Sequence, residues 1–205
     1  MSLPLPVNRC SRLSVRSAFS LIEAMVALSI TAMAGAVLLL ATEGVLKTTN
    51  DAVAQTIAQG MAAQLMDEVV GGRFVAVGDN HLSSGFSASS YEKAGTGRER
   101  YNDTDDYSNY QKSPPVDVYG RLLGQGDEDG DLRAVNFRSP SSEFNTWRQR
   151  IEIYCVDVSN PTIRKSTSQP TDYRAVEVTI ERVEPNGGVR PLAKLRRVLC
   201  YVPIP

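Results

Sequence analysis

Phe19–Thr42 reads FSLIEAMVALSITAMAGAVLLLAT, and Glu23 carries the single charge in it. From Ala24 to Thr42 nineteen residues pass without a charge of either sign. Wound as a helix at ~1.5 Å per residue, that stretch is about 28 Å long, close to the ~30 Å hydrocarbon thickness of a bilayer. Before it, residues 1–18 hold Arg9, Arg12 and Arg16 and no acid. Basic residues stay on the cytoplasmic side of a membrane helix, so the N-terminus is expected inside and the rest of the chain outside. Beyond it, Leu46, Val53, Ile57, Met61, Leu65 and Val69 recur mostly four apart among Gln, Asp, Lys and Thr. That is an amphipathic helical stripe, and Gly71-Gly72 should end it near Val70.

Glu23 is the residue that needs explaining. An acid costs about 3 kcal/mol at the centre of an inserted helix and less near its end. One reading makes it a cap at the headgroup level, favoured by the positive end of the helix macrodipole. The other makes it a retained charge that awaits a partner.

The residues around Glu23 favour the second reading. Ser17-Ala18-Phe19-Ser20-Leu21-Ile22-Glu23, behind a basic leader and ahead of an apolar run, resembles the N-terminal processing motif of type IV prepilins and type II secretion pseudopilins. The resemblance implies cleavage between Ala18 and Phe19 by a prepilin peptidase and N-methylation of the new Phe19 terminus. Ala18 stands where the family has Gly, which is expected to slow processing. By the same resemblance, Glu23 neutralises the Phe19 amine of a neighbouring subunit, and a filament is built from such subunits. The partners implied are other pilin or pseudopilin subunits, the prepilin peptidase and an inner-membrane assembly platform. The implied location is the bacterial inner membrane, single-pass, with an extracytoplasmic globular part. An ordinary secretory signal cut after Ala32-Met33-Ala34 competes, but it would place Glu23 inside its apolar core and leave Val37–Leu40 behind the cut. A plain signal-anchor on an unrelated, non-polymerising domain is the other competitor.

Composition bounds the chemistry of the remainder. The formal charge of -1 gives no pull toward nucleic acid, and none is expected as a partner. One histidine, His81, and three cysteines leave too few ligands for a usual zinc site. No phosphate-cradling glycine loop or nucleophile–base pair stands out, so the chain reads as a non-enzyme.

The expected architecture is α+β, a long N-terminal helix laid on a C-terminal antiparallel sheet. It divides into a leader (1–18), an apolar helix (19–42), its amphipathic continuation (43–71), a loop-rich region (72–146) and a β-meander (147–205). Alternation predicts strands at Trp147–Val158, Tyr173–Val183 and Leu192–Val202, parted by Asn160-Pro161 and Pro185-Asn186-Gly187-Gly188. Ile151, Ile153 and Cys155, with Val176, Val178 and Ile180, should face the helix. Weaker strand patterns lie at 73–77, 116–123 and 132–137.

Two acidic loops invite a calcium reading. Arg100–Tyr107 contains Asp103, Asp105 and Asp106 between tyrosines, and it resembles an Asp-Asp-Val-Asp-Asp-Tyr segment of pilin-like proteins. Its bland reading is a solvated loop; the alternative is a calcium loop, since clustered carboxylates suit a hard cation. Asp127-Glu128-Asp129-Gly130-Asp131 fails the EF-hand pattern because Gly falls at its fourth place and no Glu stands at the twelfth. A tight acidic turn is expected there, with Asp127, Asp129 and Asp131 as weak ligands. Calcium is the one cofactor under consideration. Cys10 leaves with the leader. Cys155 and Cys200 sit on strands that flank a middle one, ~9–10 Å apart at ~4.8 Å per spacing, too far for a disulfide. Two buried free thiols are expected rather than a Cys155–Cys200 bridge. Lys194, Arg196 and Arg197 should face largely outward.

Overall fold

The computed structural model describes residues 20–203 apart from Ser84, Glu128, Ser141, Thr167 and Ser168. The leader, Ala18 and Phe19 therefore lie outside the described residues. Helix α1 runs unbroken over Leu21–Gly71, with no proline along its length. It starts where Ser20 Oγ accepts the Glu23 amide at 3.3 Å, and it stops at the expected glycine pair. Two compact units share it, residues 1–49 and 50–205.

In the first unit every described side chain is exposed, including Leu21, Ile22, Leu28, Met33 and Leu38–Leu40. Polar groups inside this apolar stretch are satisfied within the helix. Ser29 Oγ donates to Val26 O, Thr31 Oγ1 to Ala27 O and Thr42 Oγ1 to Leu38 O, each at 2.8 Å. Such back-bonding leaves no hydroxyl unpaired in hydrocarbon. Among the described residues, α1 is the one helix long and apolar enough to cross a membrane.

In the second unit, residues 50–71 of α1 pack on a four-stranded antiparallel sheet ordered β1-β2-β3-β4. The strands are β1 (Gln111–Lys112), β2 (Trp147–Cys155), β3 (Tyr173–Val183) and β4 (Val189–Cys200). The expected α+β class and meander are present. β3 has the expected bounds. β2 stops three residues early because Val156 forms only an isolated bridge with Arg164 and the chain turns at Asp157–Asn160. β4 begins three residues early, directly after a turn closed by Glu184 N–H to Gly188 O, with Gly187 at φ 79°. It tolerates Pro191 because it is an edge strand, and its register shifts opposite Ile180/Glu181.

The core joins Ala54, Ala58, Met61, Ala62, Leu65, Met66 and Val69 of α1 to Ile151, Ile153, Val176, Val178 and Ile180 of the sheet. This corrects the helix face. Val53 and Ile57 are exposed, and Ala54 and Ala58 take the inward positions, where small side chains let the backbone approach the sheet. Cys155 is buried beside Arg174, its cross-strand partner, rather than in this core.

The short strands expected at 73–77, 116–123 and 132–137 are corrected too. Those segments make isolated bridges only, Arg73 with Asp103, Val116 with Leu122 and Gly126 with Leu132. In the second, Asp117 Oδ1 accepts the amides of Tyr119 (3.0 Å) and Arg121 (2.8 Å), which bends the chain into a turn with Gly120 at φ 81°. Val135–Phe137 is a 3-10 turn.

Candidate functional site

Two groups of residues carry the chemistry, one in each unit. In the first, Glu23 lies in the opening turn of α1, exposed, and no side-chain partner is found for its carboxylate among the described residues. Apart from Ser20, its described neighbours in the first turns of α1, Leu21, Ile22 and Ala24 to Leu28, are apolar.

In the second unit the loop 86–107 is tied down by a polar network. Ser89 and Glu92 form a full capping box for the short helix α2 (Ser90–Lys93): Ser89 Oγ accepts the Glu92 amide at 3.3 Å, and Glu92 Oε2 accepts the Ser89 amide at 2.7 Å. Asp103, Asp105 and Asp106 each have a separate task. Asp103 Oδ1 accepts the Asp105 amide at 2.8 Å, and Asp106 Oδ2 accepts the amides of Asn102 (2.8 Å) and Asp103 (3.3 Å). Asp105 pairs with Arg174 of β3. Asp103 and Asp106 are buried, so this is not the solvated loop expected from the sequence.

Arg174 is fully buried. Its guanidinium lies 4.2 Å from the Phe74 ring centre and 4.4 Å from that of Phe86. It donates to Phe74 O at 2.6 Å, Thr104 Oγ1 at 3.0 Å and His81 O at 3.4 Å. One side chain thus holds the 74–86 and 104–105 segments on the sheet. His81 also stacks on Tyr201 at 3.8 Å and sets Nε2 3.0 Å from Asp172.

A second buried cation does the same between helix and loop. Arg98 donates Nε to Glu68 Oε1 at 2.8 Å and a terminal nitrogen to Glu68 Oε2 at 3.0 Å. It also reaches Tyr110 Oη at 2.6 Å, to which Gln149 donates at 3.0 Å, while Tyr107 Oη donates to Glu68 at 3.1 Å. Burial works against the Arg98 charge, but Glu68 and Tyr110 beside it together more than compensate and raise its pKa.

The carboxylates of Glu92, Asp103 and Asp106 each offer an oxygen within 4.8 Å of the others, an arrangement with room for a hard cation. Of the residues singled out in sequence, Asp103 and Asp106 are in this trio and Asp105 is turned to Arg174. Asp127, Asp129 and Asp131 belong to a different loop. There Asp127 Oδ1 accepts the Asp131 amide at 2.6 Å, the tight acidic turn expected.

Burial pushes Asp106 up to about 6, with Asp103 adding repulsion. Burial likewise pushes Asp105 to about 6 in spite of Arg174. Hydrogen bonds from Ser89 hold Glu92 below its ordinary value. A carboxyl raised in the folded state binds its proton more tightly there than in the unfolded chain. The stability it contributes is full below about pH 4 and is lost as pH rises through about 6. We expect Asp106→Asn, which keeps an acceptor and mimics the protonated acid, to unfold at a higher temperature than the parent at pH 7.5. That advantage should vanish near pH 4 in thermal scans of both chains.

Cys155 and Cys200 are free, as expected, with β3 between their strands; Cys200, however, is exposed. Lys194 pairs with Glu177 on the outer face, whereas Arg197 points to the helix side and meets Asp67 at 3.2 Å.

Glu92, Arg98, Glu68 and Arg174 were not singled out in sequence. Ser89-x-x-Glu92 is a readable capping signature. Arg174 shares the inward parity of Val176, Val178 and Ile180, and a cation at an inward position announces a buried acid. Comparison with protein-family models, with curated proteins and with solved structures returned no match.

Proposed function

We propose that this chain is a structural, non-enzymatic pilin-like subunit, clipped between Ala18 and Phe19, N-methylated at Phe19, and built into a type II secretion or type IV pilus-like filament. The observation that carries the reading is Glu23: a carboxylate with no side-chain partner among the described residues, on the exposed part of α1 that is otherwise uncharged as far as Thr42. An unpaired acid in an apolar setting is costly, and an amine on an adjoining subunit offsets that cost. The long helix with its C-terminal part on an antiparallel sheet supports the same reading. Size and long loops favour a minor pseudopilin. The globular unit then stands on the far side of the inner membrane and supplies contacts to other subunits and to the assembly platform.

The second reading is a single-pass anchored binding domain that never polymerises, favoured by the same helix without its motif. Mass spectrometry of the protein recovered from bacterial membranes separates them. The subunit reading expects a chain beginning at N-methylated Phe19. An intact Met1 terminus, or a cut after Ala34, overturns it.

A further inference from the structure

A pocket of about 490 Å³ opens beside α1 at Gln64, walled by the segments 117–119 and 123–133. Its size falls within the ~300–1,000 Å³ usual for small-molecule sites. Close approaches fix its walls. Gly126 and Gly130 are buried and neither has room for a side chain. A Cβ at Gly126 would collide with the Asp117 carboxylate, and one at Gly130 would press on the Tyr119 ring at 3.2 Å. From the neighbouring loop, Thr96 Oγ1 donates to Tyr119 O at 3.1 Å.

Four polar side chains line the pocket, and each keeps hydrogen-bonding atoms unspent. Asp117 Oδ1 takes the amides of Tyr119 and Arg121, and Asp127 Oδ1 takes that of Asp131. The second oxygen of each carboxylate has no partner among the described residues. Arg133 donates Nε to Gly126 O at 2.6 Å, and its terminal nitrogens have no partner among the described residues. The Gln64 carboxamide has none there either. Leu123 and Tyr119 supply apolar surface between these groups.

We infer that this pocket binds a neutral saccharide unit, free or within a glycan chain: Asp117, Asp127, Arg133 and Gln64 take its hydroxyls, and Leu123 and Tyr119 its C–H face. The mixture of donors and acceptors selects the ligand. A sugar hydroxyl both donates and accepts, so neighbouring hydroxyls satisfy a carboxylate and a guanidinium together. Two carboxylates repel a phosphate or another acid. A hard cation is better served by Glu92, Asp103 and Asp106, the one acid trio close enough to share an ion among the described residues. Saccharide binding goes beyond the subunit reading and does not need it, since the pocket is complete within one chain.

The test titrates the full chain, in a detergent without a sugar headgroup, with glucose, galactose, N-acetylglucosamine and short oligomers of each. At least one series is expected to bind. Arg133→Gln and Asp127→Asn should each weaken it about tenfold, the loss of one hydrogen bond to a charged group. Arg164→Gln, outside the pocket, should bind like the parent. Binding of monomers alone marks a free sugar as the ligand, and tighter binding of oligomers marks a glycan chain; either upholds the inference. No binding by any of these sugars overturns it. So does binding that neither pocket variant weakens, because the sugar then sits elsewhere. Both failures leave the subunit reading untouched.

Discussion

Replacing Glu23 by glutamine should leave the chain inserted and clipped yet remove it from filaments by about a hundredfold. The figure is the lower end of what is lost when one member of a buried ion pair is deleted, ~3 kcal/mol. The two steps respond with opposite sign. Insertion becomes easier, because an amide costs less than a carboxylate in hydrocarbon. Assembly becomes harder, because the amine of the adjoining subunit loses its counter-charge. Glu23→Asp keeps the charge on a side chain one methylene shorter and should fall between the two. Membrane fractionation read beside sheared-filament recovery checks the pair. Equal incorporation of the glutamine variant and the parent would remove the basis of the subunit reading.

Arg174→Ala should have the largest effect on the globular unit. It deletes a fully buried cation that touches two phenylalanine rings and four oxygens from two loop segments. Breaking a buried pair on one side costs about 3–5 kcal/mol, since the remaining charge is stranded. Here the stranded group is Asp105, whose pKa already sits at about 6 with the arginine present. Without it, the carboxyl should titrate higher still. The variant should therefore regain part of its loss on acidification, more than the parent does between pH 7.5 and 5.5. Chemical unfolding at the two pH values measures this. A loss under 1 kcal/mol, or one independent of pH, would mean that the arginine is peripheral to the loop's anchorage.

Much of the fold was legible because its signals are periodic. The uncharged run 24–42 and the glycine pair at 71–72 bound α1, and the alternation of Tyr173–Val183 bounds β3 to the residue. The inward face of α1 was read correctly at Met61, Leu65 and Val69 and one position off at Val53 and Ile57. Large apolar residues mark a stripe in sequence, but the sheet selects Ala54 and Ala58 for their small size, and Val53 and Ile57 are left outside. The loop region was illegible for a different reason. Its order comes from long-range polar contacts, such as Arg98 with Glu68 thirty residues away and Arg174 with Asp105 sixty-nine away, and no local pattern encodes these. The acidic segment looked solvated because its residue types are polar. Its burial depends on Arg174, which belongs to a strand read as part of the apolar face.

β4 closes one side of the sheet, and its outer edge is open among the described residues. A long bare edge is a template onto which a stranger's backbone can add, and a crowded membrane surface multiplies such encounters. This edge is spoiled as a template twice over. Pro191 removes one donor, and Arg190, Lys194, Arg196 and Arg197 place four positive charges along twelve residues. An incoming strand would have to bury long charged side chains already engaged in ion pairs, such as Lys194 with Glu177 and Arg197 with Asp67, so edge-to-edge pairing of sheets is discouraged.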